Sequence, residues 1–430
     1  MAKSTRILVV GAGYVGIPTA VTLSHFGYSV IVAERDLARL GELRAGRSPI
    51  REEGLDELLA EGIAAGLLTF TDNATEAAAD ADVVFLCVAT PQGNGGEADI
   101  TYIIDAATSI SAALCPGSIV VNKSTVPVGT AARVQAALGR DDVFVVSNPE
   151  FLREGTAVHD SLHAERIVAG SDDPRHAEIV VQLFADTGAA VVITDTASAE
   201  TIKYAANAFL ATKLSFMNAM AAFCEEVGAD VRDVRLGMGH DHRIGMDFLN
   251  PGPGWGGSCL PKDTAALLYM SQINNFDFPL LAGAIETNER QLARMVSKIE
   301  EAAGGLDGRT IAAWGLTFKA NTDDRRSSPA IDIVQRLAAR GAIVQAYDPT
   351  VVPGQVYADL DGVSVMSSPR DAARGAHCLA ILTEWTEFSL VDLTDIYSQM
   401  EHAAIVDCRN LLSAATVREV GFSYEGVGIR

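Results

Sequence analysis

Short apolar runs alternate with helical stretches from residue 6 onward. The runs predict strands at residues 7–10, 30–33, 83–88, 119–121, 143–146, 167–169 and 191–193. Strands that alternate with helical patterns indicate βαβ units and a parallel sheet. Because nearly every position in these runs is apolar, both faces of the sheet should be covered. The pattern therefore predicts a doubly wound α/β domain over residues 1–195.

A different pattern follows this first domain. Residues 198–227 are rich in Ala, Leu and Met and contain neither Pro nor Gly, which predicts one long helix. Helical patterns continue over 261–303, and glycines at 304, 305 and 308 then mark a boundary. Apolar runs at 310–314, 343–347, 378–382 and 404–406 predict a second sheet. We expect a central helical domain over 196–304 and a second α/β domain over 305–430.

Charge and composition narrow the classes of partner. The chain has 430 residues and a formal net charge of −22. Such an acidic chain repels nucleic acid and anionic membranes at long range, so we expect neither as a partner. The hydrophobic fraction of 48% and the charged fraction of 20% exclude a mainly disordered protein.

Residues 7–33 require a separate test because they contain no charged residue and are long enough to span a membrane. Several glycines and a proline interrupt them, and their apolar pattern changes from continuous to helical and back. This favours a strand, a turn, a helix and a strand buried in protein. We expect a soluble, cytoplasmic protein.

The six cysteines show no CxxC pair and no tight metal-ligand spacing. We therefore expect reduced thiols and no metal site. Five of them, at 87, 115, 224, 378 and 408, are interpreted as small buried hydrophobic residues. Cys259 is the exception because it lies in a glycine-dense loop.

The first motif that carries chemistry is GAGYVG at residues 11–16, directly after an apolar strand. Its glycines permit a tight turn and a close approach of the backbone to a pyrophosphate at a helix N-terminus. Glu34 ends the second predicted strand, where a carboxylate binds the adenosine ribose hydroxyls and repels a 2′-phosphate. The motif therefore predicts NAD, although Arg35 keeps NADP as a minor alternative. A glycine-rich turn without a ligand is the other interpretation.

The second motif is residues 251–263, which read PGPGWGGSCLPKD. Pro261 suits the first position of a helix, so Cys259 is predicted just before a helix N-terminus. The positive end of the helix and the neighbouring Lys262 would favour the thiolate form of Cys259.

Two further patterns place polar side chains together. Glu150 and Glu154 are four residues apart after the predicted strand 143–146, although Glu154 alone could belong to a solvated acidic turn. Lys203 and Asn207 share one face of the long predicted helix. A lysine that reaches from an apolar helix to solvent is the alternative for Lys203.

Taken together, these motifs resemble the nucleotide-sugar 6-dehydrogenase family. Further resemblance comes from NKSTVPVGT at 122–130, NPEFLREG at 148–155, GLTFK at 315–319 and TDDRRSSP at 322–329. The resemblance implies an N-terminal Rossmann-like NAD domain, a central dimerisation region built on the long helix, and a C-terminal Rossmann-like domain that binds the nucleotide sugar. It also implies a homodimer.

The family reaction is a double oxidation of a sugar C6 alcohol to a carboxylate with two NAD. An aldehyde gives up a second hydride only after a nucleophile adds to it, and Cys259 would add to form a thiohemiacetal and then a thioester. The resemblance assigns catalytic roles to Cys259, Lys203, Asn207, Asp263, Glu154, Thr125 and Glu150. Lys203 and Asp263 would hold the reacting oxygen and a water, and Asn207 would contribute to an oxyanion site. Glu154 and Thr125 would position the hydrolytic water beside Glu150.

Binding residues are also carried over by resemblance. For the cofactor they are Gly11, Gly13, Tyr14, Val15, Gly16, Glu34, Arg35, Thr90, Thr125 and Arg326. For the substrate they are Phe151, Leu152, Arg153, Glu154, Lys203, Asn207, Arg243, Phe248, Leu249, Gly256 and Lys319. Arg243 would reach the partner subunit's site, whereas Arg325 is expected to be solvated.

Departures from the family pattern leave the substrate open. Glu34 replaces the usual aspartate, and Trp255 stands where the family usually has Phe or Tyr. NPEFLREG favours a glucose-type or mannose-type sugar over an N-acetyl sugar. UDP-glucose is the expected substrate, with dTDP-glucose and GDP-mannose as alternatives. A two-electron hydroxyacid-type dehydrogenase and a non-catalytic NAD-responsive binding protein are the competing functions.

Overall fold

The computed structural model describes residues 3–429. The chain divides into two compact units, Met1–Ala206 with Ala265–Asn274 and Asn207–Thr264 with Asn275–Arg430.

The first unit contains an eight-stranded sheet and its connecting helices. The strands are β1 Arg6–Val10, β2 Ser29–Ala33, β3 Leu68–Thr71, β4 Val83–Leu86, β5 Ile119–Asn122, β6 Phe144–Ser147, β7 Arg166–Gly170 and β8 Ala190–Thr194. The helices are α1 Gly16–His25, α2 Leu37–Arg44, α3 Leu55–Ala64, α4 Ala74–Ala78, α5 Thr101–Ile110, α6 Thr130–Leu138, α7 Ala157–Leu162 and α8 Pro174–Gln182.

The strand order β3-β2-β1-β4-β5-β6-β7-β8 is that of a doubly wound sheet, which confirms the predicted fold class. One pairing differs from the all-parallel expectation, because β7 runs antiparallel to β6 through the pair Ser147 and Gly170. The carboxyl ends of β1, β4, β5 and β6 share one edge of the sheet, since these strands are mutually parallel. Ligands of such sheets bind at that edge.

Alternate residues of β1 pack on opposite faces of this sheet. Ile7 and Val9 belong to one hydrophobic cluster, and Leu8 and Val10 belong to another. The two clusters explain why the central strands are apolar throughout. The expectation that both faces are covered is wrong for β8, the strand at the sheet edge, whose residues are mostly exposed in this chain.

Four helices follow β8. They are α9 Thr196–Val227, α10 Val231–Gly239, α11 Leu260–Ile273 and α12 Pro279–Ala303. The long helix predicted over 198–227 is therefore confirmed as α9, which begins in the first unit and continues into the second. The helical pattern over 261–303 is confirmed as α11 and α12, separated by a short break.

The second unit carries a six-stranded parallel sheet in the order β11-β10-β9-β12-β13-β14. Its strands are β9 Thr310–Trp314, β10 Ile343–Tyr347, β11 Val363–Val365, β12 Cys378–Ile381, β13 Ala404–Asp407 and β14 Ser423–Gly426. Its further helices are α13 Pro329–Ala339, α14 Pro369–Ala373, α15 Leu393–Gln399 and α16 Ala414–Val420. One hydrophobic cluster joins this sheet to the second-unit parts of α9 and α12.

Short 3₁₀ helices complete the two units at Asn94–Gly96, Ser111–Ala113, Ala185–Thr187, Ala358–Leu360 and Thr386–Leu390. Among residues 3–429, no helix combines the length and apolarity needed to cross a bilayer.

Candidate active site

The glycine motif connects β1 to α1 in the first unit. Gly11 has a φ of +103°, and a Cβ on it would lie 2.7 Å from the carbonyl oxygen of Cys87. A Cβ on Gly16 would lie 1.8 Å from the carbonyl oxygen of Gly11, so both positions require glycine. A Cβ on Gly13, in contrast, would meet no protein atom within 4 Å. The loop is therefore tight on its protein side and open at Gly13.

Glu34 and the start of α1 complete a cradle for a dinucleotide. Val15, at the N-cap of α1, offers no side-chain hydrogen bond to the first-turn amides. The Glu34 carboxylate accepts hydrogen bonds from the amides of Ala12 at 3.1 Å and Asp36 at 2.9 Å, which places it beside the loop. These residues fit NAD, with the loop amides for the pyrophosphate and Glu34 for the ribose diol.

The other cofactor candidates differ in burial. Tyr14 and Val15 are partly buried, Thr90 is buried after β4, and Arg35 is exposed. The Arg35 guanidinium lies 5.2 Å from the centre of the Tyr102 ring.

Lys203 and Glu150 form a buried ion pair in the first unit. Nζ of Lys203 donates to Oε1 of Glu150 at 2.9 Å, and both side chains are almost inaccessible. The alternative in which Lys203 reaches solvent is therefore wrong. Burial opposes ionisation of Glu150, but the charge and hydrogen bond of Lys203, together with the Leu152 amide and the Lys123 charge, hold the pKa of Glu150 below its ordinary value. Glu150 is therefore a carboxylate that fixes a lysine.

Residues after Glu150 shape the surroundings of this pair. The amide of Leu152 donates to Oε2 of Glu150 at 2.5 Å. The Phe151 ring has the Arg166 guanidinium 3.9 Å from its centre and the Lys203 ammonium 5.4 Å from its centre. Phe151 therefore contacts two cations, one of which, Arg166, is absent from the sequence prediction.

Arg153 and Glu154 lie in a loop that is fixed by two carboxylates, Asp160 nearby in the chain and Glu52 far from it. The Arg153 side chain pairs with both carboxylate oxygens of Asp160, at 2.9 and 2.6 Å. Buried Glu52 accepts from the amides of Gly155 at 2.7 Å and Ala157 at 2.9 Å. Glu52 thus positions the segment that carries Glu154, and no local sequence signal indicates this role.

A small cavity lies at the ends of β5 and β6. Its lining residues are Asn122, Ser124, Thr125, Val126, Ser147, Pro149, Glu200 and Lys203. Thr125 and Lys203 therefore border the same cavity. Glu200 accepts from Ser147 Oγ at 3.1 Å and from the amides of Gly129 and Ala131, and burial raises its pKa.

Cys259 lies directly before α11 in the second unit, as predicted. The helix begins at Leu260, one residue earlier than expected, and the carbonyl of Cys259 accepts from the amide of Asp263 at 2.9 Å. Cys259 therefore occupies the N-cap position, where the first-turn amides and the helix dipole favour negative charge. Its Sγ lies 3.5 Å from Oγ of Ser258.

Asp263 joins Asn207 and Lys262 in a compact network of the same unit. Nδ2 of Asn207 donates to one carboxylate oxygen of Asp263 at 2.6 Å, and Nζ of Lys262 donates to the other at 2.6 Å. Asp263 is buried, whereas Lys262 is partly exposed. The hydrogen bond to Asp263 therefore fixes the orientation of the Asn207 amide.

The remaining substrate candidates of the second unit, and the cofactor candidate Arg326, differ in burial and in their partners. Leu249 and Gly256 are buried, and Phe248 adopts a positive φ of 58°. Nζ of Lys319 lies 5.5 Å from the centre of the Phe318 ring. Arg326 pairs with Asp324, and exposed Arg243 pairs with Asp241.

Two predictions are corrected by their surroundings. Arg325 is partly buried rather than simply solvated, because it pairs with Asp359 at 3.0 Å and its guanidinium lies 4.5 Å from the centre of the Tyr357 ring. Cys115 is not buried. It is exposed, with Sγ 3.2 Å from the carbonyl oxygen of Ala79, whereas the other four expected positions are buried.

The fold and the cradle of the first unit define an NAD-dependent dehydrogenase with a second nucleotide-binding domain. Three family models cover the chain: the NAD binding domain of the UDP-glucose/GDP-mannose dehydrogenase family matches residues 5–187, its central domain 197–290 and its UDP binding domain 312–414. The chain belongs to the UDP-glucose/GDP-mannose dehydrogenase family. It is an NAD-dependent nucleotide-sugar dehydrogenase.

Similar proteins match along almost the whole chain. UDP-glucose 6-dehydrogenase of Rhizobium meliloti is 43% identical over 98% of this chain and 99% of its own length. UDP-glucose 6-dehydrogenase TuaD of Bacillus subtilis is 42% identical over 98% of this chain and 93% of its own length. The solved UDP-glucose dehydrogenase of Pyrobaculum islandicum is 33% identical, with a TM-score of 0.90 over 100% of this chain and 99% of its own.

Proposed function

We propose that this protein oxidises UDP-glucose to UDP-glucuronate with two NAD per sugar. The substrate is supported by the relatives at 42–43% identity that are named UDP-glucose 6-dehydrogenase. The four-electron outcome is supported by one observation, the Cys259 thiol at the N-cap of α11. A two-electron dehydrogenase has no use for a nucleophile at that position.

The residues of this chain suit the steps of the reaction. NAD, when bound, accepts one hydride in each of the two oxidations. In the first oxidation the C6 hydroxyl must lose a proton. We propose that the Lys203 ammonium holds the reacting oxygen and that the Asp263 carboxylate accepts the proton. The Glu150 carboxylate keeps the Lys203 side chain in place by their 2.9 Å ion pair.

The second oxidation requires covalent catalysis. The Cys259 thiolate adds to the aldehyde carbon, and Asn207 stabilises the oxygen that gains negative charge, a role worth about 3 kcal/mol of barrier. Loss of the second hydride gives a thioester. Water then adds to the thioester carbonyl and the thiolate leaves, which yields the carboxylate and restores Cys259. We propose that Glu154 and Thr125 position this water.

An NADH-release assay tests the substrate and the stoichiometry together. The assay compares NADH release from UDP-glucose, dTDP-glucose, GDP-mannose and UDP-N-acetylmannosamine. We expect UDP-glucose to be preferred and to give two NADH per sugar. Cys259→Ser should lose uronate formation, while the matched variant Cys115→Ser, at the exposed cysteine, should keep it. One NADH per sugar, or a fully active Cys259→Ser, would overturn the four-electron proposal.

We also propose a cytoplasmic homodimer formed through α9. Phe209, Phe216 and Phe223 are each at least half exposed and recur every seven residues, so they lie along one side of this helix. Six free cysteines are consistent with a reducing compartment. Sedimentation of the parent and of Phe216→Glu tests the dimer. A parent that sediments as a monomer would contradict it.

A further inference from the structure

The glycine-rich loop before Cys259 is held in the second unit by three amide side chains. Oδ1 of Asn218, on α9, accepts from the amide of Gly252 at 2.8 Å. Nε2 of Gln291, on α12, donates to the carbonyl of Gly252 at 2.7 Å. Asn288, also on α12, accepts from the amide of Trp255 at 2.8 Å and donates to its carbonyl at 3.0 Å.

The segment around Gly252 and Trp255 forms no helix or strand, so these side chains supply the hydrogen-bond partners that its backbone would otherwise lack. The exposed fractions of Asn218, Asn288 and Gln291 are only 2%, 8% and 4%, so each side chain is committed to the loop rather than to solvent. Buried backbone groups need partners, and here both groups of Gly252 and both of Trp255 receive one from a side chain. The backbone of the loop is therefore fixed at two places by two helices.

Close backbone packing restrains the other end of the loop. A Cβ on Gly256 would lie 2.1 Å from the carbonyl oxygen of Ser327, and a Cβ on Gly257 would lie 2.8 Å from the Phe318 ring. Gly257 has a φ of +86°. The restrained segment thus runs from Gly252 to Gly257, and Cys259 follows two residues later.

We propose that Asn218, Asn288 and Gln291 form an amide clamp that positions the Cys259 thiolate to capture the C6 aldehyde before it leaves. This inference rests on the proposed function. Capture forms the C–S bond as the carbonyl π pair moves to oxygen, which takes a proton, and no oxidation state changes in the step. An aldehyde that is not captured is released, so the clamp controls commitment to the second oxidation. The three amides are positioning residues because they act through the loop.

Gln291→Met tests the clamp, since Met is close in shape and removes only the hydrogen bond to Gly252. Released aldehyde is trapped as an oxime with hydroxylamine, and NADH and uronate are counted. We expect the ratio of uronate to oxime to fall about fivefold, the population change that one lost hydrogen bond of typical net strength implies. NADH per uronate should rise above two, while the first-turnover rate of NADH release stays near that of the parent.

The matched control is Gln135→Met in the first unit. Nε2 of Gln135 likewise donates to backbone carbonyls, those of Arg140 at 2.7 Å and Val143 at 3.0 Å, but at the end of α6. We expect a similar loss of thermal stability and an unchanged ratio of uronate to oxime. Asn288→Ala, which removes two bonds, should release more aldehyde than Gln291→Met.

A readout without turnover separates this inference from the proposed function. In a Cys115→Ser background, the rate at which iodoacetamide alkylates Cys259 should differ about fivefold from the parental rate in Gln291→Met and should equal it in Gln135→Met. If Gln291→Met, like the control, keeps the parental alkylation rate and the parental ratio of uronate to oxime, the clamp is overturned. If the parent fails to oxidise UDP-glucose but the alkylation rates differ, the proposed substrate fails and the positioning of Cys259 stands.

Discussion

The two sheets of this protein repeat one topology but differ at the loop where a nucleotide would bind. β3-β2-β1-β4-β5-β6 of the first unit and β11-β10-β9-β12-β13-β14 of the second have the same order. A carboxylate follows the second strand of each, Glu34 after β2 and Asp348 after β10. Each accepts a hydrogen bond from the loop after the first strand, at the amide of Ala12 or of Leu316.

The two carboxylates nevertheless have different surroundings. Asp348 is fully buried and accepts from the amides of Leu316, Thr317 and Thr350 and from the indole of Trp385. Glu34 has fewer partners within the protein, the amides of Ala12 and Asp36 and the Arg39 guanidinium at 3.4 Å, and it lies beside the open glycine turn.

The helix that follows the first strand of each sheet, α1 after β1 and α13 after β9, shows a similar difference. α1 begins directly after the glycine turn without a side-chain cap, whereas Ser328 caps α13 by accepting from the amide of Ala330 at 3.2 Å. Gly256 also packs on the start of α13. Topology alone therefore does not make a dinucleotide site, because the second half uses the same positions to stabilise its own loop.

Alanine substitutions at the two carboxylates should separate stability from cofactor binding. Asp348→Ala leaves several buried donors without an acceptor, so we expect the free energy of unfolding to fall by about 4 kcal/mol. Its Kd for NAD should stay near the parental value. Glu34→Ala should cost only about 1 kcal/mol in stability but raise the Kd for NAD at least about tenfold. Urea denaturation and calorimetric titration measure both quantities.

The contrary result would be an Asp348→Ala variant that weakens NAD binding as much as Glu34→Ala does. In that case the second half would contribute to the cofactor site, and the structural role assigned to Asp348 would be wrong.

A methyl group at Gly13 tests the side of the first glycine turn that faces the cofactor. Because no protein atom lies within 4 Å of a Cβ there, Gly13→Ala should keep the parental melting temperature within about 2 °C. We expect the Kd for NAD to rise about tenfold or more, since the methyl occupies the space through which the pyrophosphate approaches. Gly41→Ala, on α2 and equally open, is the control and should leave the Kd unchanged. An unchanged Kd in Gly13→Ala would show that the cofactor does not approach this turn.

Local sequence predicts the central parts of both sheets because their strands are continuous apolar runs. Three strands, β3, β11 and β14, are missed, and each lies at the edge of its sheet or is only partly buried, so hydroxyl or charged residues interrupt its pattern. The antiparallel pairing of β7 with β6 is missed as well, because the residues of a strand do not indicate whether its neighbour runs parallel or antiparallel. Tertiary position, not propensity, decides these features.

Motifs predict which residues carry chemistry but not what holds them. Cys259 and Lys203 are identified by sequence, and the structure adds partners far away in the chain. Glu52 lies about a hundred residues before the loop it positions, and Gln291 lies 39 residues after Gly252. Such pairs leave no periodic signal, because a buried amide or carboxylate is recognisable only when the fold supplies its partner.

The ends of the fifth strands give the finest difference between the two halves. Asn122 ends β5, and Asp407 ends β13 at the same place in the strand order. Burial raises the pKa of Asp407, while its carboxylate accepts from the amides of Arg409 and Leu412 and from the hydroxyl of Tyr424. A raised carboxyl pKa stabilises the folded state fully below the ordinary Asp pKa of about 3.9, and this contribution is lost as the pH rises through the raised value.

Asp407→Asn makes the second half like the first at this position and removes the titration. We expect a small loss of stability, about 1 kcal/mol, from the altered hydrogen bonds. The pH dependence of this loss is diagnostic. The free energy of unfolding of the variant should be furthest below that of the parent near pH 4 and should approach it as the pH rises, because only the parent loses the contribution of a protonated carboxyl. Urea denaturation from pH 4 to pH 8 measures the difference. A difference that is constant across this range would mean that burial does not govern the ionisation of Asp407 and that the two strand ends are electrostatically equivalent.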